Sequence, residues 1–244
     1  MNHPDSQHYP DIDPSRAATG GGWIAALGGA GFLVTSFAGD LVIGQFPGPG
    51  ASTGKLTSFY AAHHAQVLAG GWLLALSGVF FALFGTAVWA RIRQAAGNPV
   101  LAGLAMVGVV LVTVTTLDAA GTYGLLGGIG GQRAVAPAAL QAWHILGSSG
   151  SLADSASTFL FLVVVACAGI VARALPRTLA WPALALAVLQ LLPGQAGFLA
   201  SLAFLAWSAV AGIVVLLARE SRSPAPVRTR HEPARPQPGS SAAV

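Results

Sequence analysis

Long apolar runs alternate with short polar segments over most of the chain. An α-helix rises about 1.5 Å per residue, so about 20 apolar residues cross a hydrocarbon core of about 30 Å. Five runs reach that length, and a sixth is shorter. In chain order the runs are Trp23–Ile43, Val67–Ala90, Val100–Ala120, Leu152–Ala172, Leu179–Leu192 and Gly197–Ala218. The pattern predicts an all-α, polytopic transmembrane helix bundle with about six spans.

The run Leu179–Leu192 is the shortest of the six. It corresponds to about 21 Å of helix, contains Pro182, and is followed by Pro193. It is either a complete short span or the first arm of a helical hairpin that only partly enters the membrane. In both interpretations the chain returns to the same side of the membrane.

The basic residues favour one orientation of this bundle. If the amino terminus is cytoplasmic, ten of the 12 Lys and Arg residues lie on the inner side, and only Lys55 and Arg133 lie outside. Such an excess on the inner side is typical of cytoplasmic loops. We therefore expect a multi-pass plasma-membrane protein with a polar cytoplasmic tail over 1–22, a transmembrane domain over 23–218, and a disordered, Arg- and Pro-rich cytoplasmic tail over 219–244.

Composition excludes a soluble domain. Hydrophobic residues make up 54% of the chain and charged residues only 8%, whereas soluble domains contain about 25% charged residues. The net charge of +4 comes from small basic groups between apolar runs rather than from one basic face, so nucleic acid is not a predicted partner. The predicted partners are the lipid bilayer and either another membrane protein or further copies of this chain.

Two short motifs resemble catalytic or binding signatures, and each lacks a required residue. The segment from Gly50 to Lys55 resembles a phosphate-binding loop, but Leu56 occupies the position of the magnesium-binding hydroxyl. The segment Gly147–Gly150 resembles the serine motif of rhomboid proteases, but no histidine follows in the last spans to act as its base. The single cysteine, Cys167, is expected to be a small buried hydrophobe. No catalytic residue and no cofactor is predicted, and a non-enzymatic role is favoured.

Ionisable side chains outside the tails gather near the predicted outer ends of the spans. Carboxylates at membrane depth usually face the bundle interior or a wet cavity. Imidazole together with carboxylate forms metal sites or proton relays, and the sequence leaves open whether a metal binds. The predicted outer polar pocket comprises Asp40, His63, His64, Asp118, His144 and Asp154.

Simpler interpretations of these residues are also open. Asp154 would cap the amino terminus of the fourth span, and Asp40 and Asp118 would reach water at the interface. The three histidines would lie in exposed loops, since the two outer segments, Phe46–Gln66 and Gly121–Ser151, are predicted to be loops. Within the second of these segments, Pro137 is expected to begin a short helix on the membrane surface.

Small residues predict how the spans pack. Gly71, Gly78 and Gly85 recur every seven residues and form one face of the second span. Small side chains let transmembrane helices approach closely. We therefore expect this face to contact another helix.

Two segments resemble a known group of proteins. Ser58–Arg93, with its aromatic-histidine entry to the second span, and Leu175–Leu192, with its Leu-Pro-Arg entry to the fifth, resemble six-span membrane proteins of unknown function from actinobacteria. The resemblance covers roughly residues 20–218. It implies the same architecture and no particular activity.

The sequence thus predicts a small-solute or ion-handling module, or an accessory subunit of a membrane complex. The alternative function is a membrane-embedded enzyme, or a metal- or haem-binding protein that uses the outer His/Asp cluster.

Overall fold

The computed structural model describes residues 14–48, 50–130, 132, 136–192 and 195–220, and these form helices joined by short connections. The helices are α1 (Pro14–Ile43), α2 (Thr53–Ala96), α3 (Pro99–Gly130), α4 (Pro137–Ile170), α5 (Arg177–Gln190) and α6 (Gln195–Glu220). Predictions that fall on Arg133, Pro193 and most of the two tails lie outside the described residues.

Five of the six helices are long and apolar enough to cross a membrane: α1, α2, α3, α4 and α6. Large apolar side chains such as Leu41, Val79, Val114 and Val210 are exposed on their outer surfaces. Lipid tails suit such a surface, whereas water does not. The prediction of an all-α bundle is therefore confirmed for the described residues, and its long apolar helices suit a membrane. The fifth helix, α5, has 14 residues and falls short of that length.

The helices form a closed ring in chain order. Each packs against the next, and α6 packs against α1. The second helix also contacts α4 and α6, so it reaches into the centre of the bundle. In this order α1 and α4 are not neighbours.

The centre of the bundle is an aromatic cluster. Its rings are Phe32, Phe81, Phe84, Phe161, Phe204 and Trp207. Phe81 is fully buried, and its ring lies 5.0 Å from that of Phe32 and 5.3 Å from that of Phe161, edge to face in both pairs. The end of the bundle that contains this cluster and the start of α5 is called the packed half.

Small residues allow close approach of neighbouring helices. Gly71, Gly78 and Gly85 all face α3: a methyl group added at Gly71 would lie 2.9 Å from the backbone nitrogen of Gly124, and one at Gly85 would lie 2.7 Å from the side chain of Val109. Between α1 and α6, a methyl group at Gly29 would collide with the backbone carbonyl of Ser208. These glycines keep the ring tight.

The predicted loops Phe46–Gln66 and Gly121–Ser151 are wrong over much of their length. The second helix begins at Thr53, the third continues to Gly130, and Pro137 begins the long helix α4 rather than a short surface helix. At about 66 Å, α2 exceeds the thickness of a bilayer. Its extension packs against those of α3 and α4 through five buried residues: Leu56, Tyr60, Val67, Leu126 and Leu140. These contacts bury the apolar side chains of segments whose glycine and polar content favoured loops.

Candidate functional site

A cavity of about 410 Å³ lies next to the aromatic cluster, on the side of the bundle away from the packed half. All six helices contribute to its wall, α1, α3 and α5 through their carboxyl-terminal parts. Phe32 and Phe204 of the cluster line it together with Val112 and Leu205. We call this part of the bundle the cavity half.

Three carboxylates from three helices line the cavity: Asp40 of α1, Asp118 of α3 and Asp154 of α4. Asp40 and Asp118 are exposed, whereas Asp154 is partly buried and its Oδ1 accepts a hydrogen bond from the Thr115 hydroxyl at 3.3 Å. Among the described residues that line the cavity there is no lysine, arginine or histidine. The described lining therefore offers three carboxyl groups without a basic side chain beside them.

Two buried hydroxyl groups of the cavity wall differ from hydroxyls elsewhere in the bundle. Thr113 and Ser208 donate to carbonyls of their own helices, at 2.8 Å and 2.9 Å. Ser36 and Thr158, 6% and 2% exposed, line the cavity. Within the described part of the chain neither of their hydroxyls takes part in a hydrogen bond. Each is free to bind a molecule in the cavity.

The carboxyl end of α5 completes the wall. Gln190 is 4% exposed and lines the cavity, and its Oε1 accepts a hydrogen bond from the Ser201 hydroxyl of α6 at 3.4 Å. Sequence reasoning missed Thr158 and Gln190 because both lie inside apolar runs. Only their position in the cavity wall distinguishes these two residues from other neutral polar residues in the helices.

The three predicted histidines lie apart from the aspartates. His144 is buried, with its Nδ1 2.9 Å from the hydroxyl of Tyr60. The His63 ring stacks on Phe59 at 4.7 Å and lines a separate surface cavity, while His64 is exposed on α2. The predicted pocket of six residues is therefore divided: the aspartates share one cavity and the histidines do not line it.

Several alternatives raised by the sequence are wrong. Asp154 lies in the interior of α4, which begins at Pro137, so it does not cap that helix. The histidines belong to helices α2 and α4 rather than to loops. Cys167, expected to be buried, is exposed on α4. Among the described residues, no group of three or more His, Cys, Asp or Glu side chains is arranged to hold a metal ion.

Comparison with known protein families, with curated proteins and with solved structures gave no match.

Proposed function

We propose that this protein is a multi-pass plasma-membrane protein of the actinobacterial six-span type that binds a small solute or ion in the cavity. One observation carries the proposal: Asp40, Asp118 and Asp154 come from three helices and line one cavity without a basic side chain among its described lining. Uncompensated carboxylates at membrane depth are costly and usually mark a substrate or ion pathway. A cavity of about 410 Å³ lies within the size range of small-molecule sites.

In this proposal the chain crosses the membrane six times, with both termini in the cytoplasm and the cavity facing outward. The course of α5 supports the sixth crossing. Just before α5, the Ala174 carbonyl accepts a hydrogen bond from Arg91 Nε at 3.3 Å, at the far end of α2 from the cavity. At its other end, Gln190 lines the cavity. Water in that cavity shortens the apolar layer that a 14-residue helix has to cross.

Reporter fusions at Lys55 and Arg93 test this orientation. The two residues lie near opposite ends of α2, so the fusions should report opposite sides of the membrane, with Arg93 inside. Reporters on a common side would refute the topology.

Thermal stabilisation of the purified protein by a panel of metal ions and metabolites tests the binding function. At least one cationic solute should raise the melting temperature of the native protein, and the double substitution Asp40→Asn with Asp118→Asn should reduce that shift while membrane insertion stays normal. Lys55→Gln is the matched control, because it changes one exposed charge outside the cavity. A shift that is unaffected by the double substitution would count against this site.

The alternative function, metal or haem binding by the histidines, has less support. The three imidazoles occupy different environments, and His144 is already engaged with Tyr60. A Soret band in the purified protein would nevertheless favour it.

A further inference from the structure

Two helices that are not neighbours in the ring, α1 and α4, each contribute a carboxyl group and a hydroxyl group to the cavity wall. On α1, Ser36 precedes Asp40 by four residues, and on α4, Thr158 follows Asp154 by four residues. Residues four apart lie on the same face of a helix, one turn from each other. Because α1 and α4 run into the cavity from opposite directions, each wall has its carboxylate near the mouth and its hydroxyl one turn deeper.

The hydroxyls of both pairs are more buried than the carboxylates and have no internal hydrogen-bond partner. A serine or threonine in an apolar helix normally bonds to a carbonyl of its own preceding turn, as Thr113, Ser77 and Ser208 do here. Ser36 and Thr158 make no such bond in the described residues and line the cavity instead. Because these two hydroxyls face the cavity rather than other protein atoms, they are available as hydrogen-bond partners for a ligand.

We propose that the cavity binds a small aliphatic diamine or short polyamine, with one ammonium group at Ser36 and Asp40 and another at Asp154 and Thr158. This inference rests on the solute-binding function proposed above and names its ligand class. An ammonium group has three donors and no acceptor. Each of these two pairs offers it a negative charge and a hydroxyl oxygen.

The size and lining of the cavity favour an organic cation over a bare metal ion. A volume of about 410 Å³ far exceeds that of one ion, and metal ions in proteins are held by ligands at about 2–2.6 Å. The base of the cavity, formed by Phe32, Phe204 and Leu205, provides apolar surface for the methylene chain of a diamine. The two charged walls account for its two ends.

Binding to the purified full-length protein in lipid nanodiscs tests the inference. The probes are putrescine and cadaverine, compared with butylamine, which has one ammonium group, with butanediol, which has none, and with magnesium chloride. A diamine should bind at least about tenfold more tightly than butylamine, the factor expected for one additional charge-assisted hydrogen bond. Butanediol should not bind.

Substitutions locate the two ends. Asp40→Asn and Asp154→Asn should each weaken diamine binding about tenfold. Only one of the two substitutions should weaken the binding of butylamine, which has a single ammonium group. Asp40 is exposed, so Asp40→Asn gives a result even where Asp154→Asn does not fold. Thr158→Val should weaken binding less, and Thr113→Val is the matched control, because Thr113 bonds to Val109 and does not line the cavity.

Three outcomes would overturn the inference. Equal affinity for butylamine and diamines would remove the second ammonium site, and displacement of a diamine by magnesium at equal concentration would indicate an ion site. Binding of another solute, sensitive to the aspartate substitutions but without any diamine binding, would refute the ligand class and leave the proposed function standing. No binding by any probe or panel solute would refute both.

Discussion

The packed half and the cavity half are built from the same six helices but treat polar side chains differently. In the packed half, aromatic rings fill the centre, and the buried hydroxyl of Ser208 donates to its own helix. In the cavity half, three carboxylates meet without a basic neighbour among the described lining residues, and two buried hydroxyls, those of Ser36 and Thr158, have no such bond.

The difference between the two halves distinguishes polar groups that stabilise the fold from polar groups that stay available to a ligand. In hydrocarbon a polar group without a partner costs free energy, so a bundle selected only for stability satisfies such groups internally. The packed half does so. The cavity half leaves the hydroxyls of Ser36 and Thr158 without an internal hydrogen bond, which is the arrangement expected where stability is exchanged for ligand binding.

The largest expected loss of stability follows from removing one aromatic ring from the centre of the packed half. Phe81→Ala should destabilise the protein by about 3–5 kcal/mol, because Phe81 is fully buried among four aromatic rings and its loss leaves a void. Phe198→Ala is the matched control in the cavity half, where Phe198 is 62% exposed, and should change stability by less than about 1 kcal/mol. Unfolding in detergent measures both. Similar losses would show that the two halves do not differ in packing.

A smaller but substantial effect should follow from filling a close helix contact. In Gly28→Ala, the added methyl group would lie 2.5 Å from the backbone nitrogen of Phe84, which cannot move without shifting a helix. We expect a loss of about 1–3 kcal/mol. Gly103→Ala, where the methyl group meets nothing within 4 Å, should instead raise stability slightly through its helix propensity. A neutral Gly28→Ala would show that α1 and α2 are less closely packed than described.

The hydrogen bond between Tyr60 and His144 should contribute about 1 kcal/mol. Tyr60→Phe removes the hydroxyl that lies 2.9 Å from His144 Nδ1 at a fully buried position, and should lower the melting temperature by a few degrees. Tyr123→Phe is the matched control, because Tyr123 lines the cavity and its hydroxyl makes no hydrogen bond in the described residues. An equal loss in both variants would assign the effect to the phenol itself rather than to this bond.

The smallest effect is the one most specific to the cavity. Thr158→Val should leave the stability of the ligand-free protein within about 0.5 kcal/mol of the native value, because no hydrogen bond is lost and the shape is kept. Ser77→Ala, which removes a 2.7 Å hydrogen bond to the Leu74 carbonyl of the same helix, should cost more. A larger loss for Thr158→Val, measured by the same unfolding transitions, would show that its hydroxyl has a structural partner.

Part of the candidate site was accessible from the sequence. Aspartates are rare inside apolar runs, so Asp40, Asp118 and Asp154 stood out, and their position near span ends predicted a shared face. The histidines stood out for the same reason but lie elsewhere, because the side of a helix that a residue occupies decides which cavity it reaches. Thr158 and Gln190 carried no signal, since single neutral polar residues are common in transmembrane helices.

The sequence by itself determined that this protein is helical over its long apolar runs and that these runs suit a lipid environment. Apolar runs of membrane length have to form helices, because hydrocarbon offers no other partner to backbone amides and carbonyls. Only the tertiary structure decided that α2, α3 and α4 continue as packed helices beyond those runs, that the six helices close into a ring, and that residues from α1, α3, α4 and α5 meet in one cavity. These features depend on contacts between segments distant in the chain, and helical periodicity within one segment cannot specify them.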